Sequence, residues 1–194
     1  MCSTDILWLE ADTWRKVQAT LDYHMRLYSI DKTVLTSLAE AIADNLQEVD
    51  PIMDDLCAKT CPDCSDPCCR HADVRYDLRD LVFLHCRQNA LPLHQPKQHP
   101  GQPCSFLGQN GCVLPRSLRP FLCTWYVCPQ QMKELREPHF PVMSYLQPRL
   151  HAIQEQRKDL ETEFMNLVAF EELGADRSGQ PSRATFRNLH TREL

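Results

Sequence analysis

Residues 61–69 read Cys61-Pro62-Asp63-Cys64-Ser65-Asp66-Pro67-Cys68-Cys69. The run lies near the start of a stretch, from Cys57 to Cys128, that holds ten of the eleven cysteines; only Cys2 lies outside it. The segments on either side follow the hydrophobic spacing of amphipathic helices, so the fold of the middle of the chain depends on what its thiols hold. A second group of four cysteines closes the stretch: Cys104, Cys112, Cys123 and Cys128.

Hydrophobic residues at three- and four-residue intervals predict helices over residues 13–28, 32–49, 75–89 and 145–173. Pro51 is predicted to end the second helix, and the first two helices are predicted to form an antiparallel hairpin. Gln109-Asn110-Gly111 is typical of a tight turn between two short strands, and residues 121–126 predict a turn or two of helix. The predicted fold is therefore mainly α, with helical flanks packed around an irregular cysteine-rich metal-binding centre and at most a short β-hairpin.

Four regions follow from this pattern. Residues 1–56 are predicted to be an N-terminal helical hairpin, and residues 57–130 a cysteine-cluster metal-binding domain. Residues 131–174 are predicted to contain a C-terminal helix that packs on the N-terminal helices. Residues 175–194 are polar and aperiodic, which predicts a disordered tail.

Charge and the N-terminal sequence limit the functional classes. The formal net charge is −5, and only the stretch 57–128 is basic, with eight Lys and Arg against five Asp and Glu. This balance disfavours nucleic acid or a membrane as a partner and leaves any protein partner unknown. The N-terminus lacks the basic and apolar regions of a signal peptide, so a cytoplasmic location is predicted. In a reducing compartment the cysteines are expected to remain thiols.

Spacing favours metal binding by these thiols. Cys61-x-x-Cys64 can direct two sulfurs at one ion, whereas the adjacent Cys68 and Cys69 point in different directions. The adjacent pair is therefore expected to serve two centres, or to ligate with one thiol and pack with the other. Two groups of four thiols permit two tetrahedral zinc sites, one four-iron cluster with spare thiols, or clusters that share ligands. Thiol ligands alone do not choose between zinc and iron–sulfur.

The motifs resemble the YkgJ-type cysteine-cluster family, the "CxxCxxCC" proteins described as zinc- or iron-chelating domains. The similarity covers about residues 57–130, and its one departure is a three-residue gap before Cys68-Cys69 where the family has two. It implies a cofactor that is an iron–sulfur cluster or zinc, held by one cysteine at each family position. The motifs that carry it are Cys61-x2-Cys64-x3-Cys68-Cys69, Cys104-Ser105-Phe106-Leu107, Gly111-Cys112 and Arg119-Pro120-x2-Cys123-x4-Cys128. The metal ligands so implied are Cys61, Cys64, Cys68, Cys69, Cys104, Cys112, Cys123 and Cys128.

Several residues near these eight cysteines have two possible roles. Arg119 either stabilises the anionic thiolate centre as a cofactor-binding residue or binds backbone carbonyls. Cys57 either ligates, shifting the register of the first group, or does not. Cys86 lies on an apolar helical face, which favours packing, and His71 is the best placed of the histidines for metal.

The function predicted from these features is a metal-binding protein whose clustered cysteines coordinate an iron–sulfur cluster or zinc. The alternative is an enzyme that uses the centre for redox or methyl-transfer chemistry, similar to the flagellin lysine-N-methylases that carry the same cysteine cluster. No Gly-rich nucleotide loop or separate catalytic constellation supports that alternative. A disulfide-stapled interaction module would need an oxidising compartment.

Overall fold

The computed structural model describes residues 10–27, 32–99, 101–135 and 142–174. Helices dominate these residues, and the sheet is a single antiparallel pair of two-residue strands with Leu107 opposite Cys112. The prediction of a mainly α fold with a small hairpin is thereby confirmed. The elements are α1 (Ala11–Leu27), α2 (Lys32–Thr60), α3 (Cys68–His71), α4 (Leu78–Cys86), β1 (Leu107–Gly108), β2 (Gly111–Cys112), a 3₁₀ turn (Arg116–Leu118), α5 (Leu122–Trp125), α6 (Pro129–Leu135) and α7 (Val142–Gly174).

The hydrophobic core lies between the four longest helices. Helix α2 packs mainly along α7, α4 packs on α7, and α1 packs on α4. The predicted hairpin of residues 1–56 would make α1 the main partner of α2. The main partner of α2 is instead the C-terminal helix α7, on which the apolar face of α2 packs. The buried side chains recur with helical spacing; they include Trp14, Leu21, Leu35, Ile42, Leu81, Leu146, Ile153, Leu160 and Phe164.

Helix α2 does not end at Pro51, and that prediction was wrong. The helix continues through the proline to Thr60, which places Cys57 on its last turns. Proline removes one backbone donor from a helix. The hydrophobic face nevertheless continues beyond it, since Met53 and Leu56 are buried in the core. Burial of these two side chains, worth roughly 1.5–3 kcal/mol each, offsets the local cost.

The remaining elements differ from expectation mainly at their ends. Helix α4 is shorter than predicted: it begins at Leu78, and Asp77 caps it in a reciprocal capping box with Asp80. Helix α6 was not predicted at all. Tyr28 and the predicted tail 175–194 lie outside the described residues. None of the described helices combines the length and the apolar character needed to span a bilayer.

Candidate metal centre

Ten cysteines of the described ranges are partly buried, and none of them forms a disulfide. Most of them lie at or next to the ends of helices and strands. Cys57 is on the last turns of α2, Cys68 and Cys69 open α3, Cys112 ends β2, and Cys123 is in α5. The chain therefore brings thiols to one region from segments that are far apart in sequence.

One set, the α2 thiol group, consists of Cys57, Cys61, Cys68 and Cys128. Cys61 donates a hydrogen bond to Cys57, and this bond is the largest reason why the pKa of Cys57 is lowered to about 6. Burial acts in the opposite direction, and the charge of Arg116 acts in the same one. The pKa of Cys61 is raised by the same bond, then by burial, and further by the negative charge of Cys57 and Cys68.

Gln131 joins Cys128 to this group. Its backbone N–H donates to Cys128 Sγ at 3.5 Å, while its Oε1 accepts from the Cys128 N–H at 3.1 Å. With Pro129 as the first residue of α6, this is a capping box in which cysteine takes the usual place of serine or threonine. Gln131 Nε2 donates to Cys57 Sγ at 3.4 Å, so one buried glutamine holds two cysteines that are distant in sequence.

Arg116 brings a buried positive charge to the same group. Its side chain is 5% exposed and donates from Nε to Asp54 Oδ1 at 2.6 Å. Its Nη2 donates to Cys57 Sγ at 3.6 Å, and its buried Nη1 has no hydrogen-bond partner among the described residues. A guanidinium beside a sulfur stabilises the thiolate form.

The other set, the hairpin thiol group, consists of Cys69, Cys104, Cys112 and Cys123. The Cys104 N–H donates to the Cys69 carbonyl at 2.9 Å, which ties the strand segment to α3. The pKa of Cys69 is raised, first by its hydrogen bond to Cys68 and by burial, then by the charges of neighbouring thiols that include Cys104 and Cys123. Burial, followed by Cys112 and Cys104, raises the pKa of Cys123 to about 12.

Lys97 is the buried cation beside the hairpin thiol group. It is 3% exposed, and its Nζ donates to the Arg70 carbonyl at 3.1 Å. Its charge opposes the rise in the pKa of Cys104 that burial causes. A buried ammonium is costly unless anionic groups lie nearby, and thiolates would meet that requirement.

Each thiol group therefore combines cysteines from both sequence clusters. Cys68 and Cys69 are hydrogen-bonded to each other but belong to different groups. The two groups meet at the hairpin: Gly111 has φ +107°, and a Cβ added there would lie 3.4 Å from Cys61 Cβ. Cys68 and Cys69 therefore have different thiol neighbours, and it stays a prediction that they serve two centres, or that one ligates and the other packs. Among the described residues, the thiol of Cys64 has no hydrogen bond to another cysteine, although its N–H donates to the Cys61 carbonyl at 3.3 Å.

Several predicted site residues have contacts of a different kind. Arg119 donates from Nε to the Leu114 carbonyl at 2.9 Å, as the backbone interpretation expects. Its charge also contributes to the lowered pKa of Cys57 and opposes the rise in the pKa of Cys123 that burial causes, as the other interpretation expects. The arginine that hydrogen-bonds to a sulfur is Arg116. His71 pairs with Asp66 at the surface. Cys86 packs against the hydrophobic core, as its helical position indicated.

Sequence reasoning missed Arg116, Gln131 and Lys97. A signal existed for Gln131, because Cys128-Pro129-x-Gln131 follows the spacing of a capping box. No local signal separates Arg116 from Arg119, since both lie near the hairpin and differ only in which neighbours the tertiary fold gives them. Lys97 lies in a proline-rich loop whose burial the sequence does not indicate.

The hydrogen bonds between thiols are pairwise: Cys61 donates to Cys57, and Cys69 donates to Cys68. Within the described ranges, no three or more Cys, His, Asp and Glu side chains are arranged as a formed metal site. Comparison with family models, curated proteins and solved structures found no match to this chain. The similarity of residues 57–130 to the YkgJ-type family thus remains an expectation from the motifs alone.

An ion pair between α4 and α7 positions the segment that carries Cys123. Asp80 is 5% exposed and accepts from Arg157 Nη1 at 2.8 Å and from the Phe121 N–H at 3.0 Å. Burial raises the pKa of Asp80, and Arg157 opposes that rise. The Arg157 guanidinium also lies over the Phe121 ring, 4.7 Å from its centre. The start of α5 is therefore held by two charged groups from the helical core.

Asp80 and Arg157 also line a cleft of about 420 Å³. Phe121, Leu122 and Trp125, which flank Cys123 in sequence, form part of its wall. The indole of Trp125 is 41% exposed. A ligand in this cleft would lie against the element that carries one thiol of the hairpin group. The rest of the lining is mostly charged: Asp73, Arg75, Asp77, Arg79, Asp80, Gln154, Arg157 and Lys158.

Asp50 gives the site a pH-dependent contribution to stability. Its buried Oδ1 accepts no hydrogen bond from the part of the chain that the structure describes and lies 3.9 Å from Arg116 Nε. Burial raises the pKa of Asp50 from 3.8 to about 6, in spite of the attraction of Arg116. The folded protein binds the proton of the Asp50 carboxyl more tightly than the unfolded chain does. The stabilisation that results from this protonation is therefore complete below pH 3.8 and is lost as the pH rises through about 6.

We expect Asp50→Asn to increase the free energy of unfolding at pH 8 by about 1–2 kcal/mol, because each pKa unit corresponds to about 1.4 kcal/mol and the side chain is partly exposed. The gain should shrink at pH 5. Urea unfolding of variant and wild type at both pH values measures the difference. Asp44→Asn, at an exposed position of the same helix, is the matched control and should show no such dependence. An equal gain at both pH values would contradict the assignment.

Proposed function

We propose that this protein binds metal through its clustered cysteines, which coordinate an iron–sulfur cluster or zinc. The observation that supports the proposal best is the convergence of reduced thiols from distant segments into two contacting groups, each with a buried cation. Thiolate ligands select soft, thiophilic metals, and cations such as Arg116 and Lys97 offset the negative charge of such a centre. The proposed location is the cytoplasm, and the family resemblance is part of the same proposal.

The donor set fits such a group in its chemistry. The α2 thiol group would supply Cys61, Cys68 and Cys128, the hairpin thiol group would supply Cys69, Cys104, Cys112 and Cys123, and Cys64 completes the eight ligands of the family pattern. Binding would exchange the thiol–thiol hydrogen bonds for bonds to metal, with release of the thiol protons. A centre of this type would hold the short elements of residues 57–128 together.

Metal and sulfide analysis tests the proposal. The protein is purified without oxygen, its visible spectrum is recorded, and zinc, iron and acid-labile sulfide are measured per chain. Brown protein with iron and sulfide is expected for a cluster, and colourless protein with stoichiometric zinc for zinc sites. Folded protein that carries none of these and takes up neither metal would overturn the proposal. Cys123→Ser tests whether the hairpin thiol group contributes, and it should lower the metal content.

An enzyme remains the second candidate, and the cleft beside Cys123 is the observation that favours it. A substrate bound in this cleft would lie near the hairpin thiol group, as redox or methyl-transfer chemistry at the metal centre would require. If the centre is catalytic, a small molecule that occupies the cleft should change the spectrum of the metal centre. Trp125→Ala should abolish that change but leave the metal content intact. A spectrum that no cleft ligand perturbs would count against an enzyme.

A further inference from the structure

Cys57 lies outside the eight-cysteine pattern, yet its sulfur accepts hydrogen bonds from three different segments. The Cys61 thiol donates to it, Gln131 Nε2 donates at 3.4 Å, and Arg116 Nη2 donates at 3.6 Å. Hydrogen bonds from several donors, one of them positively charged, stabilise the anionic form of a sulfur, which is the form that binds metal. A cysteine that merely packs against a core does not need such a set of donors.

The donors around Cys57 are held rigidly in the fold. Gln131 is 5% exposed and is fixed by its capping box with Cys128, while Asp54 fixes Arg116. Gln131 thus donates hydrogen bonds to the sulfurs of both Cys57 and Cys128. Residues that hydrogen-bond to metal ligands in this way orient them, and their loss typically lowers metal affinity about 10- to 100-fold.

The position of Cys57 depends on the continuation of α2 past Pro51. The helix carries Cys57 to its last turns, and the Cys61 N–H donates to the Cys57 carbonyl at 2.9 Å. Cys61 directly follows the last residue of α2, and this hydrogen bond continues the helical pattern by one residue, so Cys57 and Cys61 lie on the same side and can approach a common ion.

We propose that Cys57 is a metal ligand that shares one centre with Cys61 and Cys128, and that Arg116 and Gln131 are positioning residues for its sulfur. The inference rests on the proposed function, because it assigns a ligand within the same thiol cluster. It adds to the family pattern a cysteine that the pattern does not contain.

The first experiment compares Cys57→Ser with Cys61→Ser in the full-length protein purified without oxygen. Zinc, iron and sulfide per chain and the visible spectrum are measured for both, with Cys86→Ser as the control outside the thiol groups. We expect Cys57→Ser to lose as much metal as Cys61→Ser, and Cys86→Ser to retain the wild-type content. If Cys57→Ser keeps the wild-type content and spectrum while Cys61→Ser loses metal, the inference is wrong. Absence of metal from the wild type would instead overturn the proposed function.

A second experiment keeps the inference testable if Cys57→Ser fails to fold. Gln131→Glu retains an acceptor for the Cys128 N–H, and so the cap of α6, but removes the donor to Cys57. Wild type and variant are titrated with Co²⁺ alone, and the thiolate-to-cobalt charge-transfer band is followed. We expect about 10-fold weaker Co²⁺ binding and a shifted band. The matched control is Gln130→Glu at the exposed neighbouring position. Equal titrations of Gln131→Glu and wild type would exclude a positioning role.

Discussion

Chelation of the metal is expected to unfold residues 61–73 and 104–128 while the helical core of α2, α4 and α7 stays folded. This outcome follows from the proposed function and from how few buried hydrophobic side chains these segments contribute. Helices α3 and α5 have four residues each, and the strands have two, which is too short for independent stability. Phe121 is the one buried hydrophobic side chain between residues 104 and 128, all of which the structure describes.

The size of the effect follows from the linkage of metal binding to folding. A structural zinc site contributes on the order of 10 kcal/mol of folding free energy. A few short helices and strands with one buried aromatic side chain cannot supply a comparable free energy. The thiol groups would also lose the ion that offsets their mutual repulsion. The helical core is expected to persist, because its buried side chains belong to the long helices.

Hydrogen exchange with and without chelator measures this prediction. The N–H groups of Leu107 and Val113, which donate to the Cys104 and Phe106 carbonyls at 3.1 and 2.9 Å, should lose most of their protection. Amides of α7 between residues 146 and 168 serve as the internal control and should change little. Unchanged protection of the hairpin after complete metal removal would contradict a structural role for the metal.

Replacement of Arg157 by methionine is expected to destabilise the protein by about 3–5 kcal/mol, the usual cost of leaving one partner of a buried ion pair alone. Arg157 is 4% exposed and donates to both Asp80 and Asp77. Without it, the buried Asp80 carboxylate would keep only backbone donors. The loss should extend to Phe121, whose N–H bonds to Asp80, and so to the segment that carries Cys123.

Urea unfolding of Arg157→Met and of the double variant with Asp80→Asn measures the pair. The double variant should recover part of the lost free energy, because it removes the buried charge. Lys158→Met is the matched control; this neighbour is half exposed and pairs with Glu155, so a change below about 1 kcal/mol is expected. A similarly small change for Arg157→Met would show that the ion pair does not hold α5.

The helices were largely predictable because their signals are local. The spacing of Trp14, Val17, Leu21 and Met25 is a property of one turn after another, and all four side chains are buried as predicted. The short hairpin likewise follows from its turn residues. The prediction that α2 ends at Pro51 was wrong because the local cost of a proline inside a helix is outweighed by burial of Met53 and Leu56 against distant helices.

The composition alone marked the cysteines as the chemically important residues, since ten of them fall within one stretch. It did not indicate how they are grouped. Neighbours in sequence, Cys68 and Cys69, fall into different thiol groups, whereas Cys57 and Cys128 are joined through Gln131. Grouping depends on how α2, α6 and the hairpin pack, and spacing in the chain carries no information about that packing.

The choice between Arg116 and Arg119 illustrates the same division. Residue type and local pattern establish that an arginine lies near the thiols, and that soft metals suit this donor set. Only the folded chain decides that Arg116 donates to Cys57 while Arg119 donates to a backbone carbonyl. Helix periodicity and ligand chemistry can be read from short stretches of sequence, because both depend on neighbouring residues. The hydrogen-bond donors of a sulfur come from distant residues, and only tertiary packing brings those residues beside it.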